Sequence, residues 1–374
     1  MFHDLKVLEL ASVLAGPSVG QFFAELGADV VKIENLKAGG DVTRTWKSGH
    51  EKTDDRSAYF CAVNWGKRSV AVDLDSKSGL DVVRKLAQTS DIVIASYKPG
   101  DARKLGVDYE SLAGINPSLI YGQVTGYGSS NPRVGYDAVV QAESGFMFMN
   151  GSPGGPPLKM PVALIDVLAA HQLKEGLLLA IIKKQRQGEG SFVEVSLFDA
   201  ALSALVNQAT NWLVGGTLPQ KQGSAHPNIA PYGDTFTTRD GDMVLLAVGS
   251  DKQFAQLCEV IERPEMKRDP LFITNGLRVA NRNALNEAIQ NQIDNIATEK
   301  LMSALHQRKI PAGVIRNMRE VFALPESDRV KLGVQPLLTG VRTFVCEPFI
   351  SQPLSILPPP HFGEHTAEIL ALLD

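Results

Sequence analysis

The stretch LKVLELASVLAGPSVGQFFAELGADVVKIE, residues 5–34, contains two apolar runs separated by a segment with helical spacing. The runs at 5–10 and 28–33 are rich in branched apolar residues, which favours buried β-strands. Over 19–26, apolar residues recur at intervals of three and four, which predicts a helix that packs on one face. A strand, a helix and a second strand in this order predict two parallel neighbouring strands.

The same alternation continues through the first 200 residues. Further strands are predicted at 69–74, 91–96, 118–124 and 191–197, and further helices at 77–87 and 167–184. Strands that alternate with helices are typical of a parallel sheet with helices on its faces. We therefore predict an α/β fold for this part of the chain.

The composition changes over 211–231, where Gly, Pro, Asn and Gln are frequent. We predict a linker there, after a large domain over 1–210. Residues 232–327 begin with two strand-like runs around an Asp-Gly pair, which favours a tight hairpin, and continue with helices at 253–261 and 283–307; we predict a small α+β domain. The tail 328–374, with a final helix at 365–373, is predicted to complete the large domain.

Composition and charge exclude several classes of function. The chain has 37 Lys and Arg against 41 Asp and Glu, a net charge of −4, so no overall positive field would attract nucleic acid or an anionic membrane. The three cysteines are far apart and have no metal or disulfide spacing, which fits a reducing cytoplasm. No apolar run approaches about 18 residues, and the first residues lack a signal-peptide pattern. We predict a cytoplasmic protein without nucleic-acid or membrane partners.

Common nucleotide and hydrolase motifs do not occur in the sequence. Gly16 and Gly20 are spaced GxxxG, and no GxGxxG follows a predicted strand, so a Rossmann dehydrogenase lacks its fingerprint. The segment 66–69 resembles the end of a P-loop, but Cys61 stands where the first glycine should be. There is no HExxH, and Ser144 lacks the first glycine of a nucleophile elbow. We expect no metal, no ATP hydrolysis and no serine triad.

Seven groups of residues carry a resemblance to a known family. In chain order they are GPSVGQ at 16–21 with LGADVVKIE at 26–34, NWGKRS at 64–69, YKPG at 97–100, GYD at 135–137, IDV at 165–167, HPNIAPY at 226–232 and PPPHFGEH at 358–365. Together they resemble the class III CoA-transferases, the family that includes formyl-CoA, carnitine and benzylsuccinate CoA-transferases and the α-methylacyl-CoA racemases. The resemblance runs almost from end to end.

The resemblance implies a fold and a reaction. The fold is a Rossmann-like large α/β domain built from both termini, a small middle domain, and a homodimer whose subunits interlock like linked rings. The reaction moves coenzyme A (CoA) from an acyl-CoA substrate to a small carboxylic acid, through an aspartate that the family pattern matches to Asp166. Exchange of one thioester for another of similar free energy needs no ATP, which agrees with the missing P-loop.

The resemblance also implies roles for residues around the nucleophile. Asp166 would form an anhydride and then a CoA thioester; its local sequence also fits the cap of a helix that begins at Val167. Asp137 matches an acidic position beside the active site of formyl-CoA transferases, and its other interpretation is a turn residue. Tyr136 is expected beside the pantetheine arm of CoA.

The phosphates of CoA should be held by cations near strand ends. The residues expected to bind CoA, besides Tyr136, are Gln21, Lys67, Arg68, Tyr97, Lys98, Arg103 and Lys104. Gln21 and Lys104 match binding positions of the family, and the lysine replaces the usual arginine.

Three other functions stay open on the sequence. Within the family, the chain could be an acyl-CoA racemase, an isomerase or an intramolecular CoA-transferase, although the racemase branch has a histidine where this chain has Tyr136. Outside it, a nucleotide-binding scaffold without turnover would bind CoA and form no enzyme thioester. A Rossmann dehydrogenase would reduce or oxidise a nicotinamide.

Overall fold

A computed structural model describes residues 1–334, 338–346 and 356–373. The chain forms two compact units. The first unit comprises Met1–Phe146, Lys159–Gly216 and Asp328–Asp374, and the second comprises Met147–Leu158 and Thr217–Ser327. Both termini thus belong to the first unit. Residues 147–158 belong to the second unit, whereas the sequence prediction placed them in the large domain.

The first unit is built on a parallel sheet of six strands. The strands are β1 (Lys6–Leu10), β2 (Asp29–Asn35), β3 (Lys67–Val72), β4 (Ile92–Ala95), β5 (Ile120–Thr125) and β6 (Ser191–Ser196). Their order in the sheet is β3-β2-β1-β4-β5-β6, and every neighbouring pair is parallel. This is the strand order of doubly wound dinucleotide-binding folds, so the predicted α/β class is confirmed.

Helices follow or precede the strands along the whole chain. They are α1 (Ala15–Glu25), α2 (Ala58–Cys61), α3 (Lys77–Thr89), α4 (Asp101–Leu105), α5 (Tyr109–Ala113), α6 (Asp137–Glu143), α7 (Phe146–Met149), α8 (Leu164–Gln187), α9 (Leu197–Ser203), α10 (Val206–Leu213), α11 (Asp251–Val260), α12 (Asn275–Ala280), α13 (Arg282–Ile293), α14 (Thr298–Gln307), α15 (Met318–Ala323) and α16 (Thr366–Ala371). Short 3₁₀ turns occupy Val42–Thr45, Pro264–Arg268 and Pro325–Val330.

The sheet is buried on both faces. Successive residues of a strand point to opposite faces, and Val7 and Leu8 of β1 accordingly belong to two separate apolar clusters. The cluster of Val7 includes α1 and α8, and the cluster of Leu8 includes α3. The near-continuous apolar runs of the strands in the sequence follow from this two-sided burial.

Helix α1 lies very close to β1 because of its two glycines. A Cβ atom at Gly16 would lie 2.4 Å from the Cβ of Ala11, and one at Gly20 would lie 1.9 Å from Oε2 of Glu9. The GxxxG spacing is therefore a packing feature. The helix begins at Ala15, four residues before the predicted start, because Pro17 is tolerated in the first turn of a helix.

The C-terminal tail returns to the edge strand β3. The N–H of His365 donates to the carbonyl of Ser69 at 2.9 Å, and the N–H of Ala71 donates to Oγ1 of Thr366 at 2.9 Å. A little earlier in the tail, a two-stranded antiparallel pair is formed by β10 (Lys331–Val334) and β11 (Leu338–Val341). Part of the tail prediction, residues 335–337 and 347–355, lies outside the described residues.

The second unit contains a three-stranded antiparallel sheet, β7 (Tyr232–Thr237), β8 (Met243–Ala247) and β9 (Ala312–Val314). The turn between β7 and β8 contains Asp240 and Gly241, whose φ is +87°, as a tight hairpin requires. The helix predicted over 283–307 is two helices, α13 and α14. The break arises because Asp240 accepts the N–H of Thr298 at 2.8 Å and so starts a new helix there.

Within the described ranges, no helix combines the length and the apolar character needed to cross a bilayer.

Candidate active site

A cavity of about 550 Å³ opens in the first unit at the carboxyl edge of the sheet. Its walls come from the loops that follow β1, β4 and β5, together with residues 133–136 and the first turn of α8. Strands β1 and β4 are neighbours in the sheet although β2 and β3 lie between them in the sequence. Ligands of open α/β sheets bind at this kind of switch point, where the loops of adjacent strands diverge.

Asp166 lines this cavity from the first turn of α8. The helix begins at Leu164 and its N-cap position is Ala163, so Asp166 is the third helical residue and not the cap that the local sequence also allowed. Its side chain is 8% exposed, and within the described part of the chain its carboxylate has no hydrogen-bond or ion-pair partner. Burial, and after it the negative charge of Asp137, raise the pKa of Asp166 to about 7.

Asp137 links the starts of two helices beside this carboxyl. It is the first residue of α6, and its Oδ1 accepts the N–H of Ile165 at 2.8 Å. Its Oδ2 accepts Nε2 of Gln141 at 2.7 Å. Oε1 of Gln141 in turn accepts the N–H of Met160 at 2.9 Å, so the segment before α8 is tied to α6. These bonds set where α8 begins and therefore where Asp166 lies.

Aromatic side chains surround the same cavity. Tyr136 lies in its wall and is 57% exposed, and Tyr97 and Trp46 also line it. Trp46 makes an edge contact with Tyr59 at 5.1 Å between ring centroids. Burial raises the pKa of Tyr59, and the charges of Asp166 and Asp137 raise it further, which places this ring near both carboxyls. The sequence interpretation missed Trp46 and Tyr59 because neither stands in a recognisable motif.

Val13 has an unusual backbone conformation in the cavity wall. Its φ is +73°, a left-handed value that branched residues rarely adopt and that costs about 1–3 kcal/mol. The N–H of Ser12 donates to Oγ of Ser96 at 3.1 Å, and the N–H of Val13 approaches the carboxylate oxygens of Asp41 at 3.3 and 3.4 Å. Backbone strain of this kind is concentrated at functional sites.

The structure brings some of the predicted CoA-binding residues to this edge of the sheet. Lys98 and Tyr97 line the cavity in the loop after β4. Arg103 and Lys104 follow in α4 and are exposed, and Nζ of Lys104 lies 3.0 Å from Oδ1 of Asp101. A second cavity of about 200 Å³ reaches the ends of β1 and β2 and also has Tyr97 in its wall. The two cavities share Ser12, Ser96 and Tyr97 in their walls, and together they border the carboxyl ends of β1, β2, β4 and β5.

Three other predicted residues lie elsewhere. Gln21 and Lys67 are wholly buried, and Arg68 pairs with Asp29 at 2.6 Å and with Glu368 at 2.9 Å. The ammonium of Lys67 lies 2.8 Å from each of three oxygen atoms, which belong to Glu9, Pro17 and Asn64. Because a lysine has three donors, none is left for a phosphate. The positions of these three residues therefore do not support their predicted contact with CoA.

One exposed group of acidic and histidine side chains could geometrically hold a metal ion among the described residues: Asp54, Asp55 and His361. Its members already have protein partners. Asp54 pairs with Arg56, and Asp55 accepts the N–H of Phe362 at 2.7 Å. None of the three lines the cavity that contains Asp166, so this group adds nothing to the chemistry of that site.

The chain is similar to proteins of one known family. The family model described as CoA-transferase family III matches residues 2–366. A succinate–glutarate CoA-transferase of Agrobacterium fabrum is 39% identical over 385 aligned positions, which span 99% of this chain and 95% of that protein. A human succinyl-CoA:glutarate CoA-transferase is 33% identical, with coverage of 98% of this chain and 85% of that protein.

A solved structure has the same fold. The CAIB/BAIF family protein from Brucella suis superposes with a TM-score of 0.84 at 38% sequence identity, over 99% of this chain and 98% of that one.

Proposed function

The chain belongs to CoA-transferase family III and is a CoA-transferase, and from this premise we propose that it moves CoA between two dicarboxylic acids through covalent intermediates on Asp166. The relatives from Agrobacterium fabrum and human are named for succinate or succinyl-CoA and for glutarate. Arg133 of the cavity wall pairs with Glu143 but has further N–H donors, and these can attract the second carboxylate of such an acid.

One observation carries the proposal: a buried carboxyl without a partner faces a cavity at the carboxyl edge of the sheet. Buried polar groups are normally hydrogen-bonded, because an unpaired one costs about 1–3 kcal/mol or more. A carboxylate that is mostly removed from water and held by no donor is a stronger nucleophile than a fully solvated one. Asp166 therefore has the environment of a reacting group and not of a structural one.

The proposed reaction has four steps. The carboxylate of Asp166 attacks the carbonyl carbon of the donor thioester, the carbon–sulfur bond breaks, and a mixed anhydride and CoA thiolate result. The thiolate attacks the aspartyl carbonyl, which releases the donor acid and leaves an aspartyl-CoA thioester. The acceptor carboxylate attacks that thioester and again gives an anhydride and thiolate. The thiolate then attacks the acyl carbonyl of the acceptor, which yields the new acyl-CoA and the free carboxylate.

Asp137 would act next to this cycle as a positioning residue. Two donors, the N–H of Ile165 and Nε2 of Gln141, hold its carboxylate. A fixed negative charge beside Asp166 disfavours a second one, and it therefore favours the acylated states, in which Asp166 is neutral. The charge also repels the leaving acid once the anhydride has been cleaved.

The nucleotide end of CoA would lie over the loop after β4 and α4. Lys98, Arg103 and Lys104 supply three cations there, in exposed positions. Tyr97 offers an apolar surface between them and the cavity. A dianionic phosphate and a diphosphate bind such a cluster through charge-assisted hydrogen bonds.

The proposal is tested by the exchange of label between two acids. The purified protein is incubated with succinyl-CoA and isotope-labelled glutarate, and both CoA esters are followed by mass spectrometry. We expect glutaryl-CoA to appear as succinyl-CoA disappears, and a monocarboxylic acid of equal length, pentanoate, to react far more slowly. Solvent-proton exchange at the α-carbon without transfer would instead indicate a racemase, and an absence of both reactions with dicarboxylic acids would contradict the proposal.

Asp137→Asn is expected to move the pH dependence of kcat/KM. The ionised form of Asp166 is the nucleophile, so wild-type kcat/KM should fall as the pH drops below about 7. Removal of the Asp137 charge lowers the pKa of Asp166, so this limb should shift to lower pH by about one unit. The measurement is kcat/KM between pH 5 and 9, with Asp199→Asn as the control. An unchanged limb would show that Asp137 does not act on the nucleophile electrostatically.

We also propose that the working unit is a homodimer. Large apolar side chains are exposed on and after α10, including Trp212 at 54%, Leu213 at 76% and Val214 at 85%. Contiguous exposed apolar side chains of this kind mark association surfaces. Light scattering on the purified protein should give twice the chain mass, and a mass of one chain at micromolar concentration would exclude the dimer.

A further inference from the structure

Behind the cavity wall, the first unit contains a network of buried charges. Nζ of Lys32 lies 2.9 Å from Oε1 of Glu9 and 3.0 Å from Oδ2 of Asp41. Oε2 of Glu9 lies 2.8 Å from Nζ of Lys67. All four side chains are almost fully buried, and their two positive and two negative charges cancel. Burial opposes the charge on Lys32, but the surrounding carboxylates outweigh it and raise its pKa, so the ammonium stays ionised.

Two members of the network, Lys32 and Asp41, form hydrogen bonds with the backbone of the loop that follows β1. Nζ of Lys32 donates to the carbonyl of Ala11 at 2.7 Å. Asp41, which is paired with that same ammonium, approaches the N–H of Val13 at 3.3 Å and accepts the N–H of Thr43 at 3.0 Å. The backbone on each side of Ser12 is therefore fixed to one buried ion pair. This is the segment in which Val13 has its left-handed φ of +73°.

Stability alone does not account for this arrangement. Buried ion pairs are often no more stabilising than apolar residues of the same size, because removal of two charges from water costs several kcal/mol per ion. The left-handed valine adds an unfavourable conformation on top of that. Both costs fall on the same loop, and that loop lines the cavity with Asp166.

The loop leads directly into α1. Its last residue, Leu14, is the N-cap of this helix and offers no side-chain acceptor, so the first N–H groups of α1 have no cap from it. Leu14, Ala15 and Gly16 all line the cavity, together with the partnerless carboxyl of Asp166. The conformation of the loop therefore decides where these N–H groups lie relative to the reacting carbonyl.

We propose that Lys32 and Asp41 are positioning residues for CoA transfer, which hold the loop Ser12–Leu14 in its strained conformation and thereby fix the cavity wall and the start of α1 relative to Asp166. The inference rests on the proposed function. Rigid placement of groups around a reacting atom lowers the barrier because little reorganisation remains for the transition state.

The test removes the ion pair as a unit. In the double variant Lys32→Met with Asp41→Asn no buried charge is left alone, because Glu9 keeps Lys67 as its partner. We expect kcat for succinyl-CoA and glutarate to fall about tenfold or more. The Kd of CoA should change less than about threefold, because the cations expected to hold its phosphates, Lys98, Arg103 and Lys104, are unaltered. Amide hydrogen exchange over 12–16 should become faster. The exchange measurement is independent of turnover, so it is informative even if the wild-type protein transfers CoA between other acids.

A control removes a second lysine–aspartate pair, which is partly exposed and lies far from the loop. Nζ of Lys184 lies 2.9 Å from Oδ1 of Asp91, which directly precedes β4 at the amino edge of the sheet. The double variant Lys184→Met with Asp91→Asn should keep wild-type kcat and wild-type exchange over 12–16. Equal effects of the two double variants on kcat would assign the loss to general destabilisation and would overturn the proposal.

A pair of single variants decides the matter if the double variant does not fold. Val13→Gly relieves the backbone strain, because glycine adopts φ of +73° without penalty. Val13→Ala also removes the valine side chain from the cavity wall, but alanine still disfavours this φ. We expect Val13→Gly to melt at the same or a higher temperature than Val13→Ala and yet to have a several-fold lower kcat, because its loop is mobile. Equal kcat values, or faster turnover in the glycine variant, would overturn the proposal.

Discussion

Asp166→Asn is expected to abolish CoA transfer, with a fall in kcat of about 10³-fold or more. The amide cannot form the anhydride or the aspartyl thioester, and among the described residues no other carboxyl lines this cavity. Because the cations expected to hold the phosphates lie after β4, the Kd of CoA should change only a few-fold. Activity is measured by the label exchange between succinyl-CoA and glutarate, and the Kd by titration with CoA.

The chain offers a close control for this substitution. Asp199 is the third residue of α9, as Asp166 is the third residue of α8, and each therefore lies in the first turn of its helix. Asp199 is exposed and paired with the hydroxyl of Ser196 at 2.6 Å. Asp199→Asn should leave kcat within about twofold. Wild-type-like turnover of Asp166→Asn would remove the nucleophile from the proposal. So would the absence of a CoA adduct on Asp166 in wild type given only the donor, together with no reduction of that side chain to homoserine and no release of CoA when borohydride is then added.

The same substitution should stabilise the protein at neutral and alkaline pH. The pKa of Asp166 is about 7 in the folded protein, against an ordinary value of 3.8 for an aspartate. Between these two values the folded state binds more protons than the unfolded state, so the free energy of unfolding decreases as the pH rises. Ionisation of buried Asp166 therefore lowers the unfolding free energy of the wild type, by a small amount near pH 4 and by the full amount above about pH 7. Asparagine does not ionise, so the variant escapes a penalty of about 2–4 kcal/mol.

Urea unfolding at pH 4 and pH 8 checks this prediction. The difference in unfolding free energy between Asp166→Asn and wild type should be small at pH 4 and should grow to its full size at pH 8. Asp199→Asn, at an exposed site, should show no such growth. If Asp166→Asn were less stable than wild type at pH 8, Asp166 would be a structural carboxylate that the fold needs in its charged form.

The sequence was sufficient to predict most of the large unit because apolar periodicity is a local signal. The six strands lie within a few residues of their predicted positions, and the helix that contains Asp166 was predicted to begin only three residues too late. The predicted helix over 283–307 failed for a non-local reason, since the side chain of Asp240, about 58 residues earlier, starts a new helix at Thr298. Apolar spacing cannot report such a distant cap.

The site was harder to predict because burial decides what a polar side chain does. Lys67 was expected to bind phosphate from its place near a strand end. Its side chain instead points inward and forms an ion pair with Glu9. Gln141 stands in no motif, yet it holds Asp137 and the segment before α8 through both ends of its amide. Val13 looks like any apolar residue in a loop, and only its backbone angle distinguishes it. Each of these properties depends on which helices and strands pack against each other, and the local sequence pattern does not show that.

The docking of the tail on β3 has a consequence for synthesis on the ribosome. Strand β3 is the last strand on its side of the sheet, and among the described residues His365 and Thr366 bond to the backbone groups of Ser69 and Ala71 on its outer edge. An uncovered strand edge invites pairing with another chain. The nascent polypeptide therefore presents an open edge from the synthesis of β3 until residues 365 and 366, about 295 residues later, have left the exit tunnel. Chaperones that shield exposed strands would matter most in that interval.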